Sequence, residues 1–253
     1  MLCNALHAQV FLPLEKRFQD AYTHGTRNMN GKPGKNYWQN SADYNISVNF
    51  NPKNRQMSGS ENIDYYNNSP DTLKKIVIFL YADFYKKGVY RNYDFDKKDE
   101  GKGVIIAAAE VNNQAVNYTR EGTRLIIENQ IILPHQKATL HFIWHYIVNK
   151  GSHVRTGMVE EGSFFNAYFF PRIAVYDDID GWNNYDYMGL QEFYNDFCNF
   201  KVNITVPKNY MVWATGHLTN ASTVFQPGIV NKMDAALTSD SIIYIITKND
   251  AAN

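Results

Sequence analysis

The chain has 253 residues, and its 25 Lys and Arg residues balance 25 Asp and Glu residues. This balance argues against a nucleic-acid-binding protein, which usually carries a basic excess. The two cysteines, Cys3 and Cys198, are too few for a disulfide scaffold or a Cys-rich zinc site. No run of about 18 apolar residues is present, so no membrane-spanning helix is predicted.

The first nine residues, "MLCNALHAQ", are typical of the end of a secretory signal peptide, with Ala5 and Ala8 as small residues before Gln9. The charged start and most of the apolar core of such a signal are missing, so residues 1–9 are interpreted as the remnant of a longer precursor. This predicts an exported protein, periplasmic or extracellular. The alternative is an ordinary disordered N-terminus.

Residues 10–40 are predicted to form an N-terminal extension with a short helix at 14–22 and a loop at 25–36, where Gly, Asn and Pro cluster. From Tyr44 onwards the pattern favours strands, beginning with a hairpin of 44–50 and 62–68. Residues 86–101 are charged and are predicted to be an excursion from the sheet. The other predicted strands lie within 72–85, 103–119, 123–133, 137–148, 172–177, 200–207, 210–215 and 241–247.

One of these strands is predicted to have a hairpin partner directly after it. Val202, Ile204 and Val206 alternate, which favours a strand with one buried face, and Pro207 ends it because proline cannot donate to a ladder. Residues 211–214 are predicted to return as its partner. Short strands separated by turn signals, with almost no helical periodicity, indicate a large, mostly antiparallel β domain with few short helices.

A pair of histidines in "ATLHFIWHYIV" has the spacing of the zinc-peptidase helix motif H-E-x-x-H, but Phe142 stands where the motif needs Glu. The surrounding residues are β-branched and aromatic, which favours a strand. His141 and His145 would then share a face but lie roughly 13 Å apart, too far to bind one zinc ion. We therefore predict no metal here, with Leu140, Phe142, Trp144 and Tyr146 on the opposite face.

The acidic cluster in "YDDIDGWNNYDY" (176–187) matches an EF-hand only in its middle. Tyr176 and Tyr187 occupy the positions of the first ligand and the bidentate Glu, so a turn capped by Asp side chains is favoured over a calcium site. Cys198 is interpreted as a packed apolar thiol. No arrangement of residues indicates a catalytic centre.

Three stretches in order resemble the N-terminal domain of the aminopeptidase N-like zinc metallopeptidases, peptidase family M1, in its bacterial branch. They are "GSENIDYYNNSPDTLKKIVIFLY" (59–81), "FFPRIAVYDDIDGWN" (169–183) and "EFYNDFCNFKVNITVPKNYMVWATG" (192–216). The resemblance extends over about 38–247. It implies that residues 41–253 form a saddle-like β-sandwich domain that caps the cleft of a separate catalytic domain.

The resemblance also implies that the zinc ligands and the general base lie in that second domain. No H-E-x-x-H occurs in this sequence, so the chain is expected to resemble the N-terminal domain alone, with no catalytic residue, metal ligand or cofactor of its own. Zinc is expected in the catalytic domain, which would be the partner of this chain, and a peptide would be the substrate of the whole protein.

Members of the family use a Gln or Glu shortly before the "FP" segment to help hold the free amino terminus of the substrate. In this chain the nearest acids are Glu160 and Glu161, in "GMVEEGSFFNAYFFP". The resemblance therefore makes them the candidate substrate-binding residues. The alternative is a pair of solvated loop residues.

A second hypothesis is a free-standing β-sandwich module that binds glycans or peptides through exposed aromatic side chains. Its candidate residues are Trp38, Tyr90, Trp182 and Tyr185.

Overall fold

The computed structural model of the chain describes residues 13–153 and 155–247. The predicted signal-peptide remnant at 1–9 lies outside these residues. The described strands are Ser41–Asn51 (β1), Gln56–Tyr66 (β2), Leu73–Phe79 (β3), Ile105–Val111 (β4), Gln114–Ala115 (β5), Thr119–Glu121 (β6), Arg124–Ile132 (β7), Lys137–Ile147 (β8), Thr156–Glu160 (β9), Ser163–Asn166 (β10), Arg172–Ile173 (β11), Tyr176–Asp177 (β12), Gly181–Trp182 (β13) and Cys198–Thr205 (β14).

The α-helices are short, and two turns of 3₁₀-helix accompany them. The α-helices are Lys16–His24 (α1), Ala221–Val224 (α2) and Pro227–Ala236 (α3), and the 3₁₀ turns are Tyr81–Tyr85 and Lys97–Asp99. The helix α1 confirms the helix predicted at 14–22, and it ends at Gly25, whose φ of 71° is left-handed. The chain divides into two compact units, one ending at Tyr210 and the other beginning at Met211.

The first unit contains all the strands of the described residues. One sheet has six strands in the order β14-β1-β2-β8-β4-β5, and another has four in the order β11-β3-β7-β6. Two hairpins, β9–β10 and β12–β13, form small separate sheets. Every pairing is antiparallel except that of β14 with β1. The mostly β, largely antiparallel class predicted from the sequence is confirmed.

The strand β8 shows how the sequence pattern produces the core. Its residues alternate in burial, and Leu140, Phe142, Trp144 and Tyr146 are at most 5% exposed. The predicted two faces of this strand are confirmed, because successive side chains of a strand point to opposite faces. These residues belong to one hydrophobic core that also includes buried side chains of β3 and β7, so the two larger sheets share it.

The hairpin predicted after residue 200 is wrong. The strand β14 pairs in parallel with β1, Val202 opposite Ile46, and residues 211–214 form no strand. Val202 and Ile204 are 39% and 37% exposed rather than buried. A parallel partner lies far away in sequence and is specified by long-range packing, whereas a local alternation of residues suggests only the nearest partner.

Two further expectations for this region are also wrong. Residues 241–247 are not a strand, although isoleucine and tyrosine give them high β-propensity. The helix α3, which begins at Pro227, was not predicted from the sequence. Its apolar residues Ile229, Val230 and Met233 have helical spacing, but the helix is short and none of its side chains is fully buried.

Candidate functional site

The candidate carboxylates Glu160 and Glu161 lie at the tip of the β9–β10 hairpin. Glu160 pairs with Ser163 across a turn formed by Glu161 and Gly162, and the φ of 80° at Gly162 is the left-handed conformation that glycine supplies in such turns. Both glutamates are exposed. Neither carboxylate makes an ion pair or hydrogen bond with another described residue, so both can interact with a ligand.

The hairpin also presents apolar surface. Val159 and Phe165 are 60% and 51% exposed, although both belong to strands. On the other side of β10, Phe164 packs edge-on against Phe50 of β1, with ring centroids 4.8 Å apart. The hairpin is therefore anchored to the main sheet on one side and leaves apolar and acidic groups exposed on the other.

The base of this hairpin is held by hydrogen bonds to neighbouring backbone. The buried residue Thr156 accepts a bond from Nδ2 of Asn149 at its carbonyl oxygen, at 3.1 Å, and the amide of Ala167 donates to the carbonyl of Arg155 at 3.0 Å. Asn166, the last residue of β10, differs from these groups. Its Oδ1 is buried and has no hydrogen-bond partner among the described residues.

An unpartnered buried acceptor such as Asn166 Oδ1 costs free energy unless a ligand or water satisfies it. The side chain is an amide five positions before Pro171. Only the carboxylates of this stretch were candidates from the sequence, so Asn166 was missed. An amide close to the "FP" segment is the signal that could have found it.

Next to the hairpin base is a small aromatic cavity. Its volume is about 10 Å³, enough for about one water molecule. Tyr168 and Phe193 are in contact there, with ring centroids 3.9 Å apart, and Tyr168 has a left-handed φ of 50°. Burial raises the pKa of Tyr187 to about 12. The lining residues are Tyr81, Phe84, Tyr85, Thr156, Ala167, Tyr168, Tyr187 and Phe193.

The three sequence stretches that carry the resemblance contact one another. The hydroxyl of Tyr176 donates to Asp71 Oδ2 at 2.9 Å, which joins the middle stretch to the loop after β2. Strand β11, in the middle stretch, pairs with β3. Arg172 donates to the carbonyl of Asp196 at 3.1 Å and lies over the ring of Phe200, 5.4 Å from its centroid, which joins the middle stretch to the last.

The acidic cluster forms the predicted turn. Asp177 Oδ1 accepts hydrogen bonds from the amides of Ile179 and Asp180, at 2.9 and 2.8 Å, as an Asx-turn does. Asp178 pairs with Arg27, which lowers the pKa of that carboxyl despite its partial burial. These carboxylates are therefore used to hold the turn and to fix the segment after α1.

The two histidines of the H-x-x-x-H spacing share one face of β8, as predicted, and this face is the solvent-facing one. His141 Nδ1 is 2.9 Å from Asn62 Oδ1 on the neighbouring strand, and His145 lies opposite Ser58 and Ile105. Across the residues that the structure describes, no group of three or more His, Cys, Asp or Glu side chains is arranged to hold a metal ion. Cys198 is half-buried, and burial raises the pKa of its thiol.

The aromatic residues of the binding-module hypothesis are separated by the fold. Trp182 is only 8% exposed and packs against Tyr65, with centroids 6.1 Å apart, so the expectation that it forms an exposed contact is wrong. Trp38 is half-buried and stacks on Tyr176 at 5.8 Å. Tyr90 and Tyr185 are exposed, at 72% and 66%. Trp182 is buried because its ring packs against Tyr65 near the end of β2 and belongs to the hydrophobic core.

None of the helices within the described ranges has the length and apolarity required to cross a membrane.

Comparison with known proteins gave structural matches only. No family model matches the chain, and no curated protein matches it. The solved structures to which it is similar include the M1 zinc metallopeptidase of Deinococcus radiodurans, at 15% identity and a TM-score of 0.40, over 74% of this chain and 37% of that chain. A mutant of an M1 zinc metallopeptidase from the same organism, bound to a Tyr-Ser-Ala substrate, matches at 14% identity with a TM-score of 0.40, over 75% of this chain and 38% of that chain. Leukotriene A4 hydrolase of Saccharomyces cerevisiae matches at 12% identity with a TM-score of 0.26, over 42% of this chain and 15% of that chain. The chain thus spans well under half of the length of each of these proteins.

Proposed function

We propose that this chain is a non-catalytic N-terminal β domain of an exported, zinc-dependent aminopeptidase of the M1 type. In this proposal the domain caps the cleft of a catalytic domain encoded beyond Asn253. Its β9–β10 hairpin helps to bind the free amino terminus of the peptide substrate. The zinc ion and its ligands belong to the catalytic domain.

The observation that carries the proposal is the contact between the three stretches that resemble the family. Tyr176 and Asp71 are 105 residues apart in the sequence, and Arg172 and Asp196 are 24 apart, yet each pair is joined by a direct hydrogen bond. Motif matches that arise by chance have no reason to meet in the fold. Their contact supports the interpretation that they form one functional unit.

The chemistry of the hairpin supports its part in the proposal. The α-ammonium group of a peptide carries a positive charge and three N–H donors. Glu160 and Glu161 offer carboxylates at the tip of the hairpin without an ion-pair partner in the described chain. Asn166 lies at the base of the hairpin, three residues along β10 from the partner of Glu160 and so roughly 10 Å away, and its free acceptor can meet only a different part of the peptide. Charge-assisted hydrogen bonds of this kind are stronger than neutral ones, and more so when a second domain excludes water from them.

The first experiment is to sequence the coding region beyond Asn253. We expect an H-E-x-x-H motif roughly 50 to 100 residues further on, on a helix, as the zinc-binding spacing requires. A stop codon directly after Asn253, together with saturable peptide or glycan binding by the isolated chain, would favour the binding-module hypothesis instead.

The second experiment measures kinetics in the longer protein. Glu160→Gln and Glu161→Gln should each leave zinc content unchanged, and the variant at the carboxylate that binds the amine should raise KM for peptides with a free amino terminus. The loss of one charge-assisted hydrogen bond, about 1.5–3 kcal/mol, corresponds to a rise of roughly ten-fold or more. The matched control is Glu128→Gln, which removes an exposed carboxylate of β7. Equal KM values in all three variants would show that the hairpin carboxylates do not bind the amino terminus of the substrate.

Export is tested by expressing the full coding sequence and fractionating the cells. We expect the mature protein outside the cytoplasm, with an N-terminus at Gln9 after cleavage behind Ala8. Recovery of the uncleaved protein in the cytoplasm would contradict this part of the proposal without affecting the hairpin.

A further inference from the structure

The edges of the two larger sheets differ in length. Three of the four edge strands are very short: β5 and β11 have two residues each, and β6 has three. The fourth edge is β14, which has eight residues. Proteins commonly shorten edge strands to prevent pairing with other chains, so the unshortened edge of β14 is the exception in this fold.

The strand β14 also lacks the other features that protect an edge. It contains no proline, and its eight residue pairs with β1 run without a bulge. Its far side makes no backbone hydrogen bond with any described residue of the first unit. Its single charge, Lys201, lies opposite Asn45 on the solvent-facing side of the sheet and not on the inner side.

The inner side of β14 is apolar and incompletely covered. Phe200, Val202 and Ile204 lie opposite the buried residues of β1 and are 44%, 39% and 37% exposed. Phe200 stacks on Tyr44 at 4.9 Å, which shows that this side continues the core. The row ends at the sheet edge, so one flank of each side chain remains in water.

We propose that β14 is a strand-pairing interface whose partner is β14 of a second copy of this chain, in antiparallel orientation across a two-fold axis. The two six-stranded sheets then continue into one another. Pairing satisfies the free backbone groups of both edges, and the neighbouring row of the other copy covers the exposed flanks of the apolar side chains.

Self-pairing is favoured by the sequence of the strand in one register. With the axis at Val202, Phe200 of one copy lies opposite Ile204 of the other, and Lys201 lies opposite Asn203. The apolar side chains then form one continuous row, and no like charges face each other. Moving the axis to Lys201 would place two lysines side by side, which disfavours that register.

The test measures the molar mass of the whole chain by analytical ultracentrifugation from low micromolar to millimolar concentration. We expect a concentration-dependent dimer. Val202→Lys should abolish it, since two ammonium groups would meet at the axis. The control Ile143→Lys should leave it intact, because Ile143 has a similar exposure of 43% but lies on β8, inside the sheet. A monomer at every concentration, or equal effects of the two variants, would overturn the proposal.

A crosslinking experiment tests the register with milder substitutions. In a background in which Cys3 and Cys198 are replaced by serine, Val202→Cys should form a disulfide-linked dimer under mild oxidation, since only this residue faces its own copy. Ile204→Cys should not, because its partner is Phe200. Efficient crosslinking at residue 204 but not at 202 would refute the proposed axis. If both variants stay monomeric, β14 does not pair with a second copy of this chain and the proposal fails.

Discussion

Glu61 lies on the inner face of β2 and is fully buried, between Ile46 of β1 and Phe142 of β8. Neither of its carboxyl oxygens has a hydrogen-bond partner among the described residues. Burial therefore raises the pKa of this carboxyl well above its ordinary value, since an ionised carboxylate would lose its hydration without compensation. We predict that Glu61→Gln changes the pH dependence of stability.

The sign and the size follow from proton linkage. The folded state keeps the proton that the unfolded chain releases near pH 4.3, the ordinary pKa of glutamate. The stability that protonated Glu61 contributes is complete below that pH and is lost as the pH rises towards the folded pKa. The loss is about 1.4 kcal/mol per pH unit, or about 2.7 kcal/mol over two units in which the folded carboxyl stays protonated.

The assay is urea unfolding at several pH values between 4 and 7, followed by tryptophan fluorescence, to which the buried indoles of Trp144 and Trp182 contribute. The free energy of unfolding of the wild type should fall relative to that of Glu61→Gln as the pH rises. The exposed carboxylate variant Glu128→Gln should follow the wild type. The new amide also lacks hydrogen-bond partners, and this lowers the stability of Glu61→Gln by the same amount at every pH. The test therefore compares how the free energies of unfolding of the two proteins change with pH, not their absolute values. Parallel curves for wild type and Glu61→Gln would show that the carboxyl is not buried in its neutral form.

Three further changes test other parts of the first unit. Gly59→Ala should destabilise the chain by about 1–3 kcal/mol in urea unfolding, because its Cβ would lie 2.6 Å from a ring carbon of Trp144, and an unchanged midpoint would contradict that contact. Asp83→Ala should lower the free energy of unfolding by about 3–5 kcal/mol, because the substitution leaves Arg120 without its buried carboxylate partner. Calorimetry would show a smaller loss of stability if water took the place of that carboxylate. Burial raises the pKa of Asp196 to about 6, so the thermal stability of the wild type should fall as the pH rises from about 4 to 6. Asp196→Asn should lack this fall, and equal pH profiles for the two proteins would contradict the prediction.

Local patterns predicted those elements whose partners are close in sequence. The hairpin of β1 and β2 follows from two alternating runs separated by a turn, and the two faces of β8 follow from the alternation of Leu140 and Phe142 with His141 and Ile143. The same alternation at Val202 led to the wrong partner, because it indicates that a strand has two faces and not which strand lies beside it.

The candidate site shows the same division. Glu160 and Glu161 became candidates because the resemblance to the family implies an acid or amide shortly before the "FP" segment, whereas the unpartnered oxygen of Asn166 can be recognised only once its neighbours are placed. Trp182 could be chosen as an exposed aromatic residue only while its contacts with Tyr65 and Tyr176 were unknown.

The sequence by itself determined that this protein is mostly β, where strands such as β7 and β8 begin and end, and that the histidine pair lies on a strand. Those properties depend on side-chain periodicity, turn residues and proline, which act over a few positions. Only the tertiary structure decided the parallel pairing of β14, the burial of Glu61 and the exposed edge beside Phe200 and Val202. These depend on which distant segments exclude water from one another, and that is a property of the assembled sheets.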